Sequence, residues 1–428
     1  MSSALSVRLA APPKRRRLLA ALLAAQVCGS TGHSISLAVG SVVAAEITGS
    51  NTWSGLPVAV AALGAALASL PLARLMGRSG RRPGLVLGYG LAVLGSGLGM
   101  TGVLAGSFPF LLLGMALFGI GNTSNLLSRY AAADVSPGAE RGRAISLIVW
   151  GSAAGSIIGP NLLGLAAELG GRLGLTAVGS AFLIGVSGFG LAALLIQALL
   201  RPDPLAVARL REPAPTDHRT ERTRPLGAIL RQPSVRIALG ALMTSQLVMI
   251  GTTSTSPVYL HDQGHRVDAI GLAVSLHLAG MYAASPLTGW LCDRLGRLPV
   301  ILAGGLLLIG AIAFAALAPG SNSGLVSLAL FLNGVGWNFG FVAGSALLTD
   351  SLSPAERTSM QGLADLIMGL MGAAGSAAGG VILQAWGFPV LNALGAALVL
   401  GPLAATWLRR ATLGPRPVEY SEANPSAA

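Results

Sequence analysis

Hydrophobic residues fill long stretches of this chain, and polar or glycine-rich segments separate these stretches at regular intervals. A stretch of about 20 mostly apolar residues is long enough to cross the hydrocarbon core of a bilayer as an α-helix. We therefore predict an all-α integral membrane protein with twelve transmembrane helices. The predicted spans cover residues 18–43, 53–74, 84–105, 108–131, 144–167, 174–200, 236–260, 269–290, 298–318, 323–349, 360–384 and 388–408.

The two halves of the chain repeat each other. Residues 73–83 align with residues 289–299, and the same shift of 216 places Asn122 on Asn338 and Asp134 on Asp350 without an insertion. A duplicated apolar half is typical of secondary transporters, which are built from two repeats around a central site. We therefore predict two parallel six-helix bundles.

The polar segments give the predicted divisions of the chain. They are a cytoplasmic N-terminal arm (1–17), an N-terminal bundle (18–200), a central cytoplasmic loop (201–235), a C-terminal bundle (236–408) and a disordered cytoplasmic tail (409–428). The central loop is rich in Pro and Arg and too polar to span a bilayer. It is either a mobile tether between the bundles or carries a short amphipathic helix on the membrane surface.

Composition narrows the class of protein further. With 53% hydrophobic and 10% charged residues, the chain has too little polar surface for a soluble globule. The net charge of +12 lies in the connectors, which argues against a nucleic-acid partner. All Lys and Arg except Arg129, Arg172 and Arg266 fall on the side of the N-terminus. The positive-inside rule then predicts cytoplasmic termini in a bacterial-type plasma membrane, the inner membrane.

The segment from Gly289 to Arg297 reads G-x-L-x-D-R-x-G-R and resembles the signature of the major facilitator superfamily. The resemblance implies that the acids and arginines around both copies lock the bundles together on the cytoplasmic side when the central cavity opens outward. In this chain the implied gating residues are Arg78, Arg81, Asp134, Asp293, Arg294, Arg297 and Asp350. Gly77 replaces the acid in the first copy, so that half of the lock is either weaker or uses another acid.

A second motif lies on the fifth predicted span. Residues 155–164 resemble the G-x-x-x-G-P-x-x-G-G motif of antiporters in the same superfamily, with Leu163 departing from it. Gly159 offers a smooth face to a neighbouring helix, and Pro160 removes a backbone donor and bends the span. Both residues are added to the gating set, and the motif favours export by antiport over uptake.

Ionisable side chains inside a bilayer are costly, so each is a candidate functional residue. Four lie within predicted spans, namely His33, Arg129, His277 and Asp365. Each histidine either binds cargo or a proton or is hydrogen-bonded to a neighbouring helix, and His33 is a candidate for both cargo binding and proton coupling.

Asp365 permits two interpretations. As the one carboxylate placed within a predicted span, it is a candidate proton carrier that binds a proton in one state and releases it in the other. Its depth also matches that of Arg129, so Asp365 is alternatively the partner of Arg129 in a gate. The sequence leaves both interpretations open.

Uncharged polar residues on several spans are expected to face a central cavity. The predicted substrate-binding set is His33, Asn122, Asn125, Gln246, His277, Trp337 and Asn338. The symmetry-related Asn122 and Asn338 are alternatively interhelical hydrogen-bonding residues that fix the packing, and Trp337 is either a packing residue or a cover over the cargo.

The function predicted from these features is proton-coupled export of a small organic, drug-like or metabolite compound by alternating access. The alternatives are uptake of a small organic or sugar-like solute, and a sensor or assembly factor that transports nothing. No phosphate-binding loop, catalytic pair or cofactor fingerprint occurs in the sequence. We therefore expect no enzymatic activity, no cofactor and no metal. The expected partners are a small-molecule substrate, protons and the lipid bilayer, and the chain is expected to be a monomer.

Overall fold

The computed structural model describes residues 12–49, 53, 56–172, 175–211, 224–264, 267–317 and 322–413. Most of the predicted N-terminal arm, the middle of the central loop and the tail beyond residue 413 lie outside the described residues. All statements below concern the described part of the chain.

The described residues form α-helices and one short 3₁₀-helix, Gly138–Glu140. The α-helices are α1 (Pro12–Thr48), α2 (Leu56–Ser79), α3 (Arg81–Leu104), α4 (Phe108–Asp134), α5 (Arg141–Asn161), α6 (Leu163–Gly171), α7 (Ala177–Leu199), α8 (Pro204–Arg211), α9 (Leu226–Arg231), α10 (Pro233–Asp262), α11 (Val267–Ala283), α12 (Ser285–Leu295), α13 (Arg297–Leu317), α14 (Ser323–Asp350) and α15 (Pro354–Leu413).

The helices confirm the predicted all-α membrane fold. Within the described residues, eleven helical segments are long and apolar enough to cross a membrane. The last of them, Pro354–Leu408, bends at Gly387, whose φ of 81° lies in the left-handed region, and so supplies the final two predicted spans. Two other spans consist of consecutive helices, α5 with α6 and α11 with α12. Short breaks in a long apolar helix leave no mark on its hydrophobic pattern.

Two arginine-rich connectors are tighter than the sequence suggests. A single residue separates α2 from α3, namely Gly80, whose φ is 99°. Its repeat equivalent Gly296, with a φ of 92°, separates α12 from α13. A residue with a Cβ adopts this conformation only at a cost, whereas glycine adopts it freely. Glycine therefore lets each chain reverse in one residue and holds the flanking arginines at the helix ends.

Small residues allow the helices within each bundle to approach closely. In the N-terminal bundle α3 packs on α4, and α1 packs on α5 and α7. A Cβ added at Gly95 of α3 would lie 2.5 Å from the backbone nitrogen of Phe118 and 2.6 Å from the carbonyl oxygen of Gly114 on α4. In the C-terminal bundle α10 packs on α15, and α14 packs on α11 and α13. Backbone-to-backbone packing of this kind is characteristic of helices in membranes.

The two bundles meet mainly through two pairs of helices, α2 with α15 and α5 with α12. Along the first pair, a Cβ at Gly362 would lie 2.8 Å from the carbonyl oxygen of Ser69. Along the second, a Cβ at Gly142 would lie 2.9 Å from the carbonyl oxygen of Gly289. Both contacts lie toward the helix ends that carry the repeated motif. We call this end of the molecule, with residues 77–82, 134–143, 293–297 and 350–357, the arginine-rich face.

Two glycines on α3 provide a test of this packing. We expect Gly95→Ala to lower stability by about 1–3 kcal/mol, because its Cβ overlaps the backbone of α4. A Cβ at Gly97 meets no heavy atom within 4 Å, so Gly97→Ala should be neutral or stabilising by up to about 1 kcal/mol through better helix propensity. The apparent Tm of purified protein in detergent measures the difference. Equal Tm values for the two variants would contradict the close α3–α4 contact.

Candidate functional site

Asp293 of the second motif copy joins the C-terminal bundle to the N-terminal bundle. Its Oδ1 accepts a hydrogen bond from the backbone N–H of Gly142 at 2.9 Å, and its Oδ2 accepts one from the N–H of Arg143 at 3.0 Å. These donors belong to the first turn of α5, whose N–H groups have no partner within the helix. The carboxylate therefore caps a helix of the opposite bundle and complements its dipole.

Asp134 lies at the centre of a buried ion-pair cluster on the same face. Arg81 Nε donates to Asp134 Oδ2 at 2.8 Å within the N-terminal bundle. Arg357 of the C-terminal bundle approaches Asp134 Oδ1 at 3.8 Å. Arg81 also donates to the Gln361 side chain of α15, so this cluster crosses the interface twice.

Asp350 occupies the repeat-related position and has a corresponding cluster. Arg297 Nε donates to its Oδ2 at 2.8 Å, and Arg141 of the N-terminal bundle donates to its Oδ1 at 2.7 Å. Arg297 further donates to the backbone carbonyl of Gly138 in the N-terminal bundle. The duplicated sequence thus builds the same acid–arginine arrangement twice, once in each half, and both copies connect the bundles.

The first motif copy has no carboxylate at residue 77 to cross the interface. A Cβ at Gly77 would lie 2.5 Å from Thr358 Oγ1, so the α15 side chain fills the space that an acid would need. Asp203 of the central loop lies nearby and accepts hydrogen bonds from the N–H groups of Arg81 and Arg82 at 3.1 and 2.8 Å. Asp203 therefore caps α3 of the N-terminal bundle. These hydrogen bonds do not reach the C-terminal bundle, so Asp203 does not replace the missing acid.

The central loop is also fixed to the C-terminal bundle. Arg224 donates from Nε and Nη2 to the two carboxylate oxygens of Glu356, at 2.7 and 2.6 Å. This bidentate hydrogen bonding raises the pKa of Arg224 above its usual value. In the first half of the loop, α8 buries Leu205 and Val207. The described ends of the loop are therefore held against the bundles by short helices and side-chain contacts, an arrangement that neither sequence interpretation included.

Two predicted gating arginines take no part in these clusters. Arg78 is exposed at the end of α2. Arg294 lies over the ring of Trp290 on its own helix, 5.0 Å from the ring centre. Sequence alone does not distinguish these arginines from their paired neighbours, because the distinction depends on which side of the helix each one occupies.

An ion pair between Arg129 and Asp365 joins the bundles more deeply. Arg129 Nη2 donates to Asp365 Oδ1, and both side chains are at most 2% exposed. The guanidinium is also hydrogen-bonded to Tyr130 Oη at 3.0 Å and to Ser345 Oγ at 3.2 Å. Asp365 Oδ2 is buried and has no hydrogen-bond partner among the described residues. The structure thus brings together the two residues that the gate interpretation pairs.

An aromatic column extends from this ion pair along α14. The Arg129 guanidinium lies 4.3 Å from the ring centre of Phe341. Phe341 stacks on Trp337 with a centre-to-centre distance of 4.6 Å, and Tyr282 of α11 stands edge-on to Trp337 at 6.4 Å. Trp337 Nε1 donates to Gln246 Oε1 of α10 at 2.8 Å. The predicted residues Gln246 and Trp337 therefore lie in one cluster, directly above the interbundle ion pair.

The predicted residues of the N-terminal bundle are distributed differently. His33 is half-buried and stacks on Phe118 at 5.0 Å, with its buried Nδ1 lacking a hydrogen-bond partner among the described residues. Asn125 is buried against α3, where it accepts a hydrogen bond from Tyr89 at 3.0 Å. Asn122 is half-buried and lies seven residues before Arg129, which places both on the same side of α4.

Two predicted residues of the C-terminal bundle are fully hydrogen-bonded. His277 Nδ1 lies 2.9 Å from the carbonyl oxygen of Leu330, and Nε2 lies 3.2 Å from Thr253 Oγ1. Because a carbonyl only accepts, Nδ1 carries the hydrogen, and the neutral tautomer satisfies both contacts. The Asn338 amide donates to Met281 and Ser285 and accepts from Thr288. This geometry matches the packing interpretation of both side chains.

The antiporter-like motif lies where α5 faces α1. A Cβ at Gly155 would lie 2.5 Å from the carbonyl oxygen of Val27, and one at Gly159 would lie 2.6 Å from that of Thr31. Pro160 is exposed, and α5 ends one residue later. The motif thus provides close packing of α5 on α1, followed by the break between α5 and α6.

Sequence reasoning missed several residues of this site. They are Tyr130, Asp203, Arg224, Tyr282, Phe341 and Gln361. The one signal for Phe341 is its spacing of four residues from Trp337, which places both on one side of a helix. Gln361 lies four residues before Asp365 and could have been found in the same way.

Comparisons with known proteins agree with this architecture. The family model described as Major Facilitator Superfamily matches residues 22–267 and 260–427. The "Uncharacterized MFS-type transporter YddS" of Bacillus subtilis (strain 168) is 34% identical and covers 92% of each chain. The "Riboflavin transporter RfnT" of Brucella anthropi is 32% identical and covers 91% of this chain and 95% of its own.

A solved structure shares the fold at low identity. The bacterial homologue of the iron transporter ferroportin in its outward-facing state superposes with a TM-score of 0.73 and 16% identity. The superposition covers 92% of this chain and 99% of that one. At this identity the likeness establishes the fold and nothing about the cargo.

The Asp293 cap gives a testable prediction. We expect Asp293→Asn to weaken closure of the arginine-rich face by about 1–2 kcal/mol, a factor of roughly 5–30 in the population of open molecules, because the amide lacks the charge and has one oxygen acceptor for two backbone N–H groups. Cys292 reports on this change, because it is buried beside Gly142 at the same interface. In a Cys28→Ser background, N-ethylmaleimide should label Cys292 faster in the Asn variant.

The first motif copy supplies the matched control. Thr358→Gly alone adds no acid and no clash, so it should leave the labelling rate of Cys292 nearly unchanged. Gly77→Asp combined with Thr358→Gly recreates the second-copy arrangement and should slow the labelling. Equal labelling rates in wild type, Asp293→Asn and the double variant would contradict a closing role for the cap.

Proposed function

The chain belongs to the major facilitator superfamily and is a transporter, not an enzyme, and we propose that it is a proton-coupled exporter of a small, partly hydrophobic organic compound. The observation that carries the proposal is the buried Arg129–Asp365 pair, which links the two bundles and leaves Asp365 Oδ2 without a hydrogen-bond partner among the described residues. A titratable group at the point where the bundles join is able to couple proton binding to their separation.

The ion pair suggests how coupling works. With Asp365 ionised, each charge has its counter-ion, and the arginine-rich face is held closed. A proton on Asp365 Oδ2 removes the negative charge and leaves Arg129 buried without a counter-ion. Breaking a buried pair in this way costs about 3–5 kcal/mol, which is more than enough to favour a conformation in which water reaches the guanidinium. Proton binding thus opens the arginine-rich face, and proton release on that side allows it to close again.

The cargo site in this proposal is the cluster above the ion pair. Its walls are the aromatic rings of Tyr282, Trp337 and Phe341, with the amide of Gln246 beside them. His33 and Asn122 are the proposed contributions of the N-terminal bundle. Aromatic side chains provide a large apolar contact area, and the charges of Arg129 and Asp365 neutralise each other. This environment favours an uncharged or weakly charged organic molecule.

The direction of transport is proposed from the helix packing of α5. Gly155 and Gly159 pack α5 directly on the backbone of α1, and this stripe is the part of the chain that resembles the antiporter motif. The second candidate is uptake of a small organic solute. The similarity to a riboflavin transporter agrees with a small organic cargo and leaves the direction open. Opposite directions of proton and cargo movement favour the first candidate, and movement in the same direction favours the second.

The proposed orientation places the arginine-rich face and both termini in the cytoplasm of a bacterial cell, with the chain as a monomer in the inner membrane. Its support is the concentration of Lys and Arg on one side of the membrane. In this orientation the closed, arginine-rich face is the cytoplasmic one. The proposed division into bundles 18–200 and 236–408, joined by the loop 201–235, supplies the two bodies that rock against each other.

Substitutions at the ion pair test the proposed coupling. In proteoliposomes with an imposed pH gradient, Asp365→Asn should abolish accumulation of a transported probe, with riboflavin and ethidium tried first. The double variant Arg129→Gln with Asp365→Asn removes both charges and leaves no buried cation unpaired. It should therefore retain exchange of labelled for unlabelled probe, yet show no response to the gradient.

Glu168→Gln is the matched control for this experiment. Glu168 is an exposed carboxylate paired with Arg172, and exposed pairs contribute little to stability, so accumulation should be unchanged. If Asp365→Asn retains full accumulation against a gradient, Asp365 is not the proton carrier, and His33 becomes the residue to test.

Thiol labelling in intact cells tests the orientation. Ser79 and Gln263 are both exposed and lie at opposite ends of the membrane-spanning helices. In a background without native cysteines, Gln263→Cys should react with a membrane-impermeant maleimide added from outside, whereas Ser79→Cys should react after the cells are permeabilised. The reverse pattern would place the arginine-rich face outside.

A further inference from the structure

Two asparagines on α14 differ sharply in their hydrogen bonding. Asn338 is buried with both amide atoms bonded to α11 and α12. Asn333 is 1% exposed, and neither its Nδ2 nor its Oδ1 has a hydrogen-bond partner among the described residues. Buried polar groups are hydrogen-bonded in the great majority of cases, because an unmet donor or acceptor is destabilising. An amide with both atoms unmet therefore requires an explanation.

The position of Asn333 relates it to the aromatic column. Asn333, Trp337, Phe341 and Ser345 follow each other at intervals of four residues on α14 and so form one continuous stripe. Ser345 and Phe341 contact Arg129, and Trp337 stacks on Phe341. Asn333 lies one helical turn beyond Trp337, about 6 Å farther from the arginine-rich face. The stripe thus leads from the interbundle ion pair, across two stacked rings, to an unpaired amide.

The stripe provides two chemically distinct features to a ligand. One face of the Trp337 ring is covered by Phe341, and helical side chains tilt toward the N-terminus of their helix, so the second ring face is directed toward the level of Asn333. A planar group stacked there would have its edge beside the Asn333 amide. That amide presents a donor and an acceptor next to each other, and it is matched by any ring edge with an N–H beside an acceptor. A ring lactam or imide, which carries an N–H beside a C=O, is such an edge.

The geometry points to Asn333 as a specificity-determining residue that recognises the lactam or imide edge of a planar, ring-containing substrate stacked on Trp337. This inference rests on the proposed function, since it assigns the substrate class of the same cargo site. Binding pairs the two unmet amide atoms of Asn333 and covers the second face of the indole. Tyr282 is half-buried and stands edge-on to Trp337, which places a third aromatic ring beside the proposed stacking position.

Ordered water is the competing occupant, because one or two water molecules could also satisfy the Asn333 amide. The two explanations differ in what an apolar isostere does. If the Asn333 amide is unpaired until a substrate binds, Asn333→Leu removes two polar atoms that lack hydrogen bonds. The Tm of the ligand-free protein should then be unchanged or higher. Asn338→Leu, the matched control, breaks three existing hydrogen bonds and should lower the Tm. If water fills the site, Asn333→Leu should lower the Tm as well.

Binding measurements test the substrate class directly. Equilibrium dialysis of the full-length protein in detergent gives Kd for lumichrome, a planar compound with an imide edge, and for its N,N′-dimethyl derivative, which lacks the N–H donors. We expect the wild type to bind lumichrome about tenfold or more tightly than the dimethyl compound. Asn333→Leu should bind both with the weaker affinity, whereas Asn333→Gln should recover part of the preference. No pH gradient enters this experiment, so its outcome is independent of proton coupling and of transport direction.

Three results would overturn the assignment. They are equal wild-type affinities for the two compounds, no measurable binding of either, and an unchanged preference in Asn333→Leu. If proton-driven transport fails while Asn333 still selects lumichrome over its dimethyl derivative, the proposed coupling is wrong and the substrate class stands.

Discussion

An arginine buried between two helical bundles has to be paired, and the pairing of Arg129 with Asp365 determines how these bundles relate to each other. Both side chains are nearly inaccessible, and each comes from a different half of the chain. An unpaired charge at this depth would cost several kcal/mol, so the bundles remain together at this level as long as both residues are ionised. The acid–arginine clusters and the Asp293 cap at the arginine-rich face depend on the same approach of α2 to α15 and of α5 to α12.

The duplication explains most of this interface, and the positions at which the two halves carry different residues explain the rest. Asp134 and Asp350 occupy equivalent positions and have equivalent arginine partners. The deep ion pair has no such counterpart, because Ser345 occupies the position equivalent to Arg129, and Val149 the position equivalent to Asp365. Duplication thus supplies a symmetric scaffold, and divergence places one positive and one negative charge on opposite sides of the interface. In the proposed coupling, protonation of this deep pair is the event that changes the arrangement of the two halves.

The sequence predicts the fold well, because each property that defines a membrane helix is local. Length and hydropathy identify the spans, and the signature around Gly289 to Arg297 marks the arginine-rich turns. The breaks after Asn161 and Ala283 were missed because the apolar character continues through them. The sequence predicts the positions of the turns at Gly80 and Gly296 but predicts longer connectors there. Each turn is a single residue because glycine adopts a positive φ, which the sequence pattern does not reveal.

The candidate site was predictable only in part. Arg129 and Asp365 attract attention because charge is rare in a span, and their similar depth suggests a pair. Asn338 and His277 are also conspicuous because they are polar residues in apolar spans. In the structure both are hydrogen-bonded to neighbouring helices. Phe341 has one weak signal, its spacing from Trp337, and Tyr282 has none, because an aromatic residue in an apolar helix resembles any other core residue. Which polar groups remain unpaired, as in Asn333, depends on the angular position of every neighbouring helix.

Protonation of Asp365 is the proposed event that opens the arginine-rich face, and the other steps of coupling depend on it. The most direct test is the distance between spin labels at Ser79 and Ser353, one in each bundle, measured by pulsed electron paramagnetic resonance as the pH is lowered. The account predicts a short distance at high pH and a growing population of longer distances on acidification. In the double variant Arg129→Gln with Asp365→Asn the distribution should not change with pH. A wild-type distance distribution that does not respond to pH, or an identical response in the double variant, would contradict this role of Asp365.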